Sequence, residues 1–212
     1  MIGAEGAPFE LTFMQRGLLA GRVIWFYVGK LVWPAELMFI YPRWNVAEAT
    51  WLWSGWLAAV LAVTAGAWWW RAKSRGPLAA WLLFVGSLFP VLGFFNVFPF
   101  LYSYVADHFQ YLASLGLIAG VTAGAVTWSG GSRWWPVAGG LVVVMLAGLS
   151  HGQSRMYADG RTLYRTTIAK NPECWMAHNN LGAELLDQGV RKGLTQFLEC
   201  LGRQLFHKEF NE

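Results

Sequence analysis

The sequence predicts an all-α fold, with polytopic membrane helices followed by a short, charged helical segment. Three observations predict it. Hydrophobic residues make up 56% of the chain and charged residues only 13%, a balance unusual for a soluble domain. Four apolar stretches rich in Trp and Gly are each about long enough to cross a bilayer. Charge is then concentrated at one end, where residues 155–212 hold 15 of the 28 Lys, Arg, Asp and Glu residues. The step near Gln153 predicts a domain boundary. The expected division is 1–50 as an interfacial, re-entrant or tilted helix region, 51–152 as four transmembrane helices, and 153–212 as outer helices.

Trp51–Trp70 carries no charge over 20 residues and ends in Trp68-Trp69-Trp70 before Arg71. Its length matches the hydrocarbon thickness, and its terminal aromatics suit the interfaces. The second span is expected from Pro77 to about Phe95, with Pro77 where a missing N–H costs least. Phe109–Ser129 is the third span and Trp134–Ser150 the fourth. Within the third, Gly116, Gly120 and Gly124 recur every four residues, a smooth stripe for close helix packing.

Leu18–Tyr41 is apolar but interrupted by Arg22, Lys30 and Glu36, and Pro34 breaks a helix. A charge at mid-bilayer costs roughly 2.5–3.5 kcal/mol on insertion scales. The segment therefore reads as a helix near Arg16–Val32, tilted or in the interface, then a bend at Trp33-Pro34. A fifth full span is the alternative. Arg16, Arg22 and Lys30 are expected to snorkel to headgroups, with contact to a lipid phosphate as the second reading.

Orientation follows from the cations. Arg71, Lys73 and Arg75 join the first two spans and Arg133 joins the last two, so both connections read as cytoplasmic. Residues 96–107, which contain no Lys or Arg, then face the opposite side together with everything beyond Gln153. The expected location is an integral membrane protein, with a bacterial inner membrane favoured and the C-terminal segment periplasmic or luminal. The net charge of +4 reads as this loop pattern rather than a nucleic-acid footprint, so nucleic acid is not an expected partner. Met1–Gly17 lacks the pattern of a signal peptide. Cys174 and Cys200 match no metal or redox spacing and read as packed thiols.

Beyond Gln153, Arg161–Ala169 has a short helical pattern ended by Asn171-Pro172. A second helix begins at Trp175 and closes at Gly189. Taking Leu181-Gly182 as the Leu-Gly pair of a tetratricopeptide (TPR) repeat puts Pro172 at the closing proline of the preceding repeat and Tyr164 at its large aromatic position. Gly189 then fills the turn. The pattern fails at Gly193-Leu194, so the segment reads as TPR-like and incomplete. One repeat cannot bury its own faces.

Chemically suggestive residues gather on the 96–114 connection. Asp107 and His108 are an adjacent ionisable pair. Asp107 suits a base or metal ligand, and His108 suits a donor to a phosphate oxygen. The alternative is that both cap the third span at a wet interface. No predicted span holds the buried acidic residue of a proton relay, which disfavours a transporter.

Ser87-Leu88-Phe89-Pro90, the Asn96–Tyr104 stretch, and Tyr104-Val105-Ala106-Asp107-His108-Phe109-Gln110-Tyr111-Leu112-Ala113-Ser114 resemble the late membrane region of transmembrane, TPR-containing O-glycosyltransferases of the C-type superfamily. Trp33-Pro34, Ile40-Tyr41-Pro42-Arg43-Trp44 and the TPR-like start fit the same resemblance, which covers most of residues 15–190. The eukaryotic members transfer mannose from a dolichol-phosphate donor to protein hydroxyls. The resemblance implies a lipid-phosphate or substrate-facing surface at Asp107, His108, Gln110 and Tyr111, and a polyprenyl-phosphate sugar as donor. It implies membrane lipid and a protein acceptor, or a partner bound through the TPR-like segment. Family members place an acidic catalytic residue in an early outer loop, and no position here matches it. They often carry Glu-Arg where Asp107-His108 stands, which puts the phosphate-binding cation in doubt. The expectation is the C-terminal portion of such an enzyme, inactive alone, with the N-terminal half as a further partner. The competing expectation is a membrane-anchored periplasmic TPR scaffold.

Overall fold

The computed structural model describes residues 10–46, 51–130, 132, 134–187 and 196–203, and among these the regular structure is entirely helical. The helices are α1 (Phe13–Val32), α2 (Trp51–Trp70), α3 (Gly76–Leu88), α4 (Tyr111–Trp128), α5 (Trp134–Ser154), α6 (Gly160–Lys170) and α7 (Trp175–Asp187). A further helix, α8, covers 196–203. Arg133, Gly189, Gly193 and Leu194 lie outside the described residues.

Among the described residues, three helical stretches are long and apolar enough to cross a membrane: Trp51–Trp70, Asp107–Trp128 and Trp134–Tyr157. The expected second span is shorter. Its α-helix stops at Leu88 and a 3-10 turn carries the chain only to Val91. Pro90 explains the stop, because it has no N–H for the next helical bond and its ring clashes with the carbonyl four residues back. Gly93, at φ +99, then reverses the chain in a conformation that side chains other than glycine rarely adopt. The result is an irregular connection over residues 92–106, interrupted by the 3-10 turn Phe98–Leu101.

α1 starts with a capping box. Thr12 Oγ1 accepts from the Gln15 N–H while Gln15 Oε1 accepts from the Thr12 N–H at 2.8 Å. The helix ends at Trp33, before Pro34. Its contacts with α2 gather on a short stretch. Gly17 and Gly21 both meet Leu57, Arg22 lies against the Trp53 ring, and the Trp25 indole donates to the Trp56 carbonyl at 3.0 Å. These contacts bring the two helix backbones close together. Gly21 permits it: a Cβ there would lie 2.8 Å from the Leu57 backbone.

The core sits where α1 packs over α3, α4 and the irregular connection. Leu19, Val23, Tyr27, Phe84, Leu88, Phe100 and Val105 are buried there. α4 seats on α3 through Gly116 and Gly120, whose added Cβ atoms would meet the Ala80 carbonyl at 2.8 Å and its methyl at 2.6 Å. Gly124 meets nothing, so the smooth stripe is used over two of its three positions. α2 and α3 are tied by the Trp81 indole donating to Thr64 Oγ1 at 2.8 Å. α5 has no buried residue, and its apolar face is unpartnered among the described residues.

α6 and α7 form a hairpin docked on the loop after α1. Asn171 Nδ2 donates to the Ile40 carbonyl, Lys170 Nζ to that of Leu37, and Tyr102 packs on Trp175 with ring centroids 5.2 Å apart. Ile40, Cys174 and Ala177 form a small second core, with Tyr164 against it. Leu181, Gly182 and Leu185 are buried, while Pro172 is exposed and its carbonyl accepts from His178 at 2.9 Å. Gly182 lies 3.2 Å, as an added Cβ, from the Phe197 N, so α8 approaches α7 closely there. Cys200 Sγ donates to the Trp175 carbonyl, and both cysteines are buried and unpaired. These three helices do not identify a TPR repeat, since 188–195, where one would turn, lie outside the described residues.

Candidate functional site

The site is built where α1, its following loop and the start of α4 meet. Asp107 opens a 3-10 turn, Asp107–Gln110, that runs directly into α4. Two tyrosines from distant sequence hold it. The Tyr27 hydroxyl donates to the Ala106 carbonyl at 3.1 Å and accepts from the Ala106 N–H at 3.0 Å, clamping the preceding peptide on both edges. The Tyr41 hydroxyl donates to Asp107 Oδ1 at 2.7 Å. Burial, then that bond to the carboxylate, pushes the Tyr41 hydroxyl far above the ordinary phenol range, so it stays a donor at any physiological pH.

Asp107 Oδ2 has no hydrogen-bond partner among the described residues. Asp107 lines a cavity of about 360 Å³ whose walls come from three places. Pro34 and Leu37 form one side. Asp107, Gln110 and Tyr111 form the second. Leu149, Ser150, Gln153, Ser154 and Tyr157, at the end of α5 and beyond, form the third. The lining is mixed, with hydroxyl and amide groups facing aliphatic ones. Gln110 Oε1 is buried without a partner, a costly state that a donor entering the cavity would relieve.

The cations nearby are already engaged. Lys30 Nζ donates to the Ala35 carbonyl at 2.7 Å, helped by Glu36, whose φ of 52° turns that segment over the lysine. Lys170 holds the Leu37 carbonyl at 2.8 Å. These bonds fix the 35–37 loop that walls the cavity. Gln153 Nε2 adds a second bond to the Leu37 carbonyl at 3.3 Å.

The structure thus brings Asp107, Gln110 and Tyr111 onto one cavity and leaves His108 out. His108 is exposed, its ring edge-on to Phe109 at 4.6 Å. A 3-10 turn explains the split: with three residues per turn, positions i and i+3 share a side and i+1 points away. Tyr41, Tyr27, Gln153 and Tyr157 were not among the sequence candidates. Tyr41 stood inside the quoted Ile40–Trp44 stretch, but nothing in its spacing pointed to a residue 66 positions later. Tyr164, Pro172, Leu181 and Gly182 all belong to the docked hairpin and none lines the cavity. Among the described residues no group of three or more His, Cys, Asp or Glu gathers to hold a metal ion.

No family model, curated protein or solved structure matches this chain.

Proposed function

We propose that the chain is the membrane and TPR-like portion of a polyprenyl-phosphate-sugar-dependent protein O-glycosyltransferase, and that the Asp107 cavity receives the sugar or the acceptor hydroxyl. In this reading α2, α4 and α5 cross the bilayer, a bacterial inner membrane. Asp107 then lies at its outer surface, under the periplasmic or luminal α6–α7 hairpin.

One observation carries the reading: a carboxylate held through one oxygen by Tyr41, on a residue that lines a cavity of mixed polar and aliphatic lining. A carboxylate oriented in this way accepts hydrogen bonds from hydroxyls and repels bare phosphate. Ser150, Ser154 and Tyr157 add groups that match a sugar's hydroxyls, while Pro34, Leu37 and Leu149 suit the adjoining prenyl chain. Asp107 is assigned to orient a hydroxyl. The base that deprotonates the acceptor is not assigned to any residue here, so the chain alone is expected to bind donor without turning it over.

The test is binding of a polyprenyl-phosphate mannose to the purified chain in nanodiscs. Asp107→Asn keeps the shape but removes the charge, and is expected to weaken binding about ten- to a hundredfold, the worth of one charge-assisted bond. Equal binding by the variant sinks the site. Robust transfer by the chain alone sinks the assignment as a non-catalytic portion.

A membrane-anchored scaffold is the second reading, favoured by the rigid docking of the hairpin through Tyr102, Trp175 and Asn171. It expects Asp107→Ala to be silent in cells and removal of residues 153–212 to abolish function.

A further inference from the structure

Four cations lie on or just after α1, and the structure separates one of them from the rest. Arg16 is consumed by the reversed chain, with Nη1 donating to the Gly93 carbonyl at 2.6 Å and to Asn96 Oδ1 at 3.1 Å. Lys30 holds Ala35, and Arg43 donates to the Tyr104 hydroxyl. Arg22 is different. Its guanidinium is half-buried against the rings of Trp44 at 4.1 Å and Trp53 at 4.4 Å, and it has no hydrogen-bond acceptor or carboxylate among the described residues. The rings cover its faces and leave its N–H edges open to the groove, where they can donate to an acceptor from outside the chain.

The surroundings state what kind of acceptor. Arg22 faces a groove between α1 and α2 of about 740 Å³, continued by Val28, Val32 and Leu52, and no acidic side chain among the described residues lines it. Trp53 is the third residue of α2, so the groove lies at the same end of that helix as the Asp107 turn. Trp25, Trp51 and Trp56 surround the same level. Tryptophans gathered at one end of an apolar helix mark headgroup depth, where a cation meets lipid phosphate and an aliphatic groove meets an acyl chain. A planar, weakly hydrated guanidinium suits a phosphate diester better than an ammonium would.

We propose that this groove is a binding site for an anionic glycerophospholipid, its phosphate on Arg22 and one acyl chain along Val28, Val32 and Leu52. The site is separate from the Asp107 cavity, and holding α1 across α2 is its consequence for the fold. The inference rests on the reading that α2 crosses a bilayer, and not on the sugar chemistry.

The experiment uses the full chain and native mass spectrometry in detergent, with phosphatidylglycerol and phosphatidylcholine as competing probes. The wild type is expected to retain phosphatidylglycerol about tenfold more strongly. Arg22→Gln is expected to abolish that preference. Arg71→Gln, on the opposite end of α2, is expected to leave it intact. Equal retention of the two lipids by the wild type overturns the proposal without any variant. So does an Arg22→Gln chain that still selects phosphatidylglycerol, or displacement of that lipid by millimolar inorganic phosphate, which assigns the site to the free ion. Flotation of the wild type with vesicles separates the failures. A chain that does not float overturns the membrane reading and this inference with it, whereas one that floats without lipid preference overturns this inference alone.

Discussion

Asp107 shows how one side chain's meaning depends on a partner far away in sequence. Its bond from Tyr41 spans 66 positions, and a hydrogen bond to a charged group is worth about 1.5–3 kcal/mol. Tyr41→Phe is expected to cost that much and to lower the melting temperature in detergent by roughly 2–4 °C per kcal/mol, as read by thermal unfolding. An unchanged melting temperature removes the tyrosine from the site. Asp159 offers a second residue-scale check, because its side chain caps α6 by accepting from the Thr162 N–H at 2.8 Å. That bond, first among its causes, holds the carboxyl below the ordinary aspartate range. A depressed folded value means the stabilisation is complete above the unfolded value, near pH 4, and is lost as pH falls through the folded one. Protection of the Thr162 amide from exchange, relative to its intrinsic rate at each pH, should therefore fall only below about pH 4. Asp159→Asn, which still caps, should flatten that dependence; persistence of the acid limb in the variant would assign it to another group.

At the scale of elements, the contact of α3 with α4 is the tightest and the most exposed to substitution. Gly116 and Gly120 leave no room for a side chain over Ala80. Gly120→Val is expected to destabilise by about 1–3 kcal/mol, the usual cost of overpacking, while Gly124→Val, over open space, is expected to be nearly neutral. Thermal unfolding of the two variants side by side checks this, and similar losses from both would place the helices differently.

The elements also show what could be read in advance. The uncharged run Trp51–Trp70 and the onset at Trp134 were legible because length and apolarity alone decide a helix of that kind. The second span was overestimated by treating Pro90 and Gly93 as part of an apolar run, although both are breakers and the run's hydropathy hides them. Asp107 was singled out as half of an ionisable pair, Gln110 and Tyr111 through the family resemblance, and three residues per turn gathers Asp107 and Gln110. His108 was included because adjacency in sequence looks like proximity. Tyr27, Tyr41, Gln153 and Tyr157 were illegible, since each reaches the site through tertiary packing that no short-range spacing encodes.

At the scale of the whole molecule, the two ends differ in kind. One end is a short turn bearing Arg71, Lys73 and Arg75, with Arg71 over the Trp68 ring at 3.6 Å and Lys73 over Trp70 at 4.8 Å. The other gathers α1, the irregular connection, Asp107 and the docked hairpin. Between them run the apolar helices, of which α5 exposes its whole face. Such a body suits a bilayer around its apolar middle. The proposed role of Asp107 requires that the α1 end meet the outer leaflet, whereas the Arg22 site requires only that α2 cross a bilayer.

Sidedness is therefore the most direct measurement. With Cys174 and Cys200 replaced by Ala, single cysteines at Ser74→Cys and Glu173→Cys are treated in whole cells with a membrane-impermeant maleimide. The expected result is labelling at 173 in intact cells and at 74 only after permeabilisation. Labelling of both from the same side, or of 74 alone in intact cells, would contradict the arrangement on which the proposed Asp107 site rests.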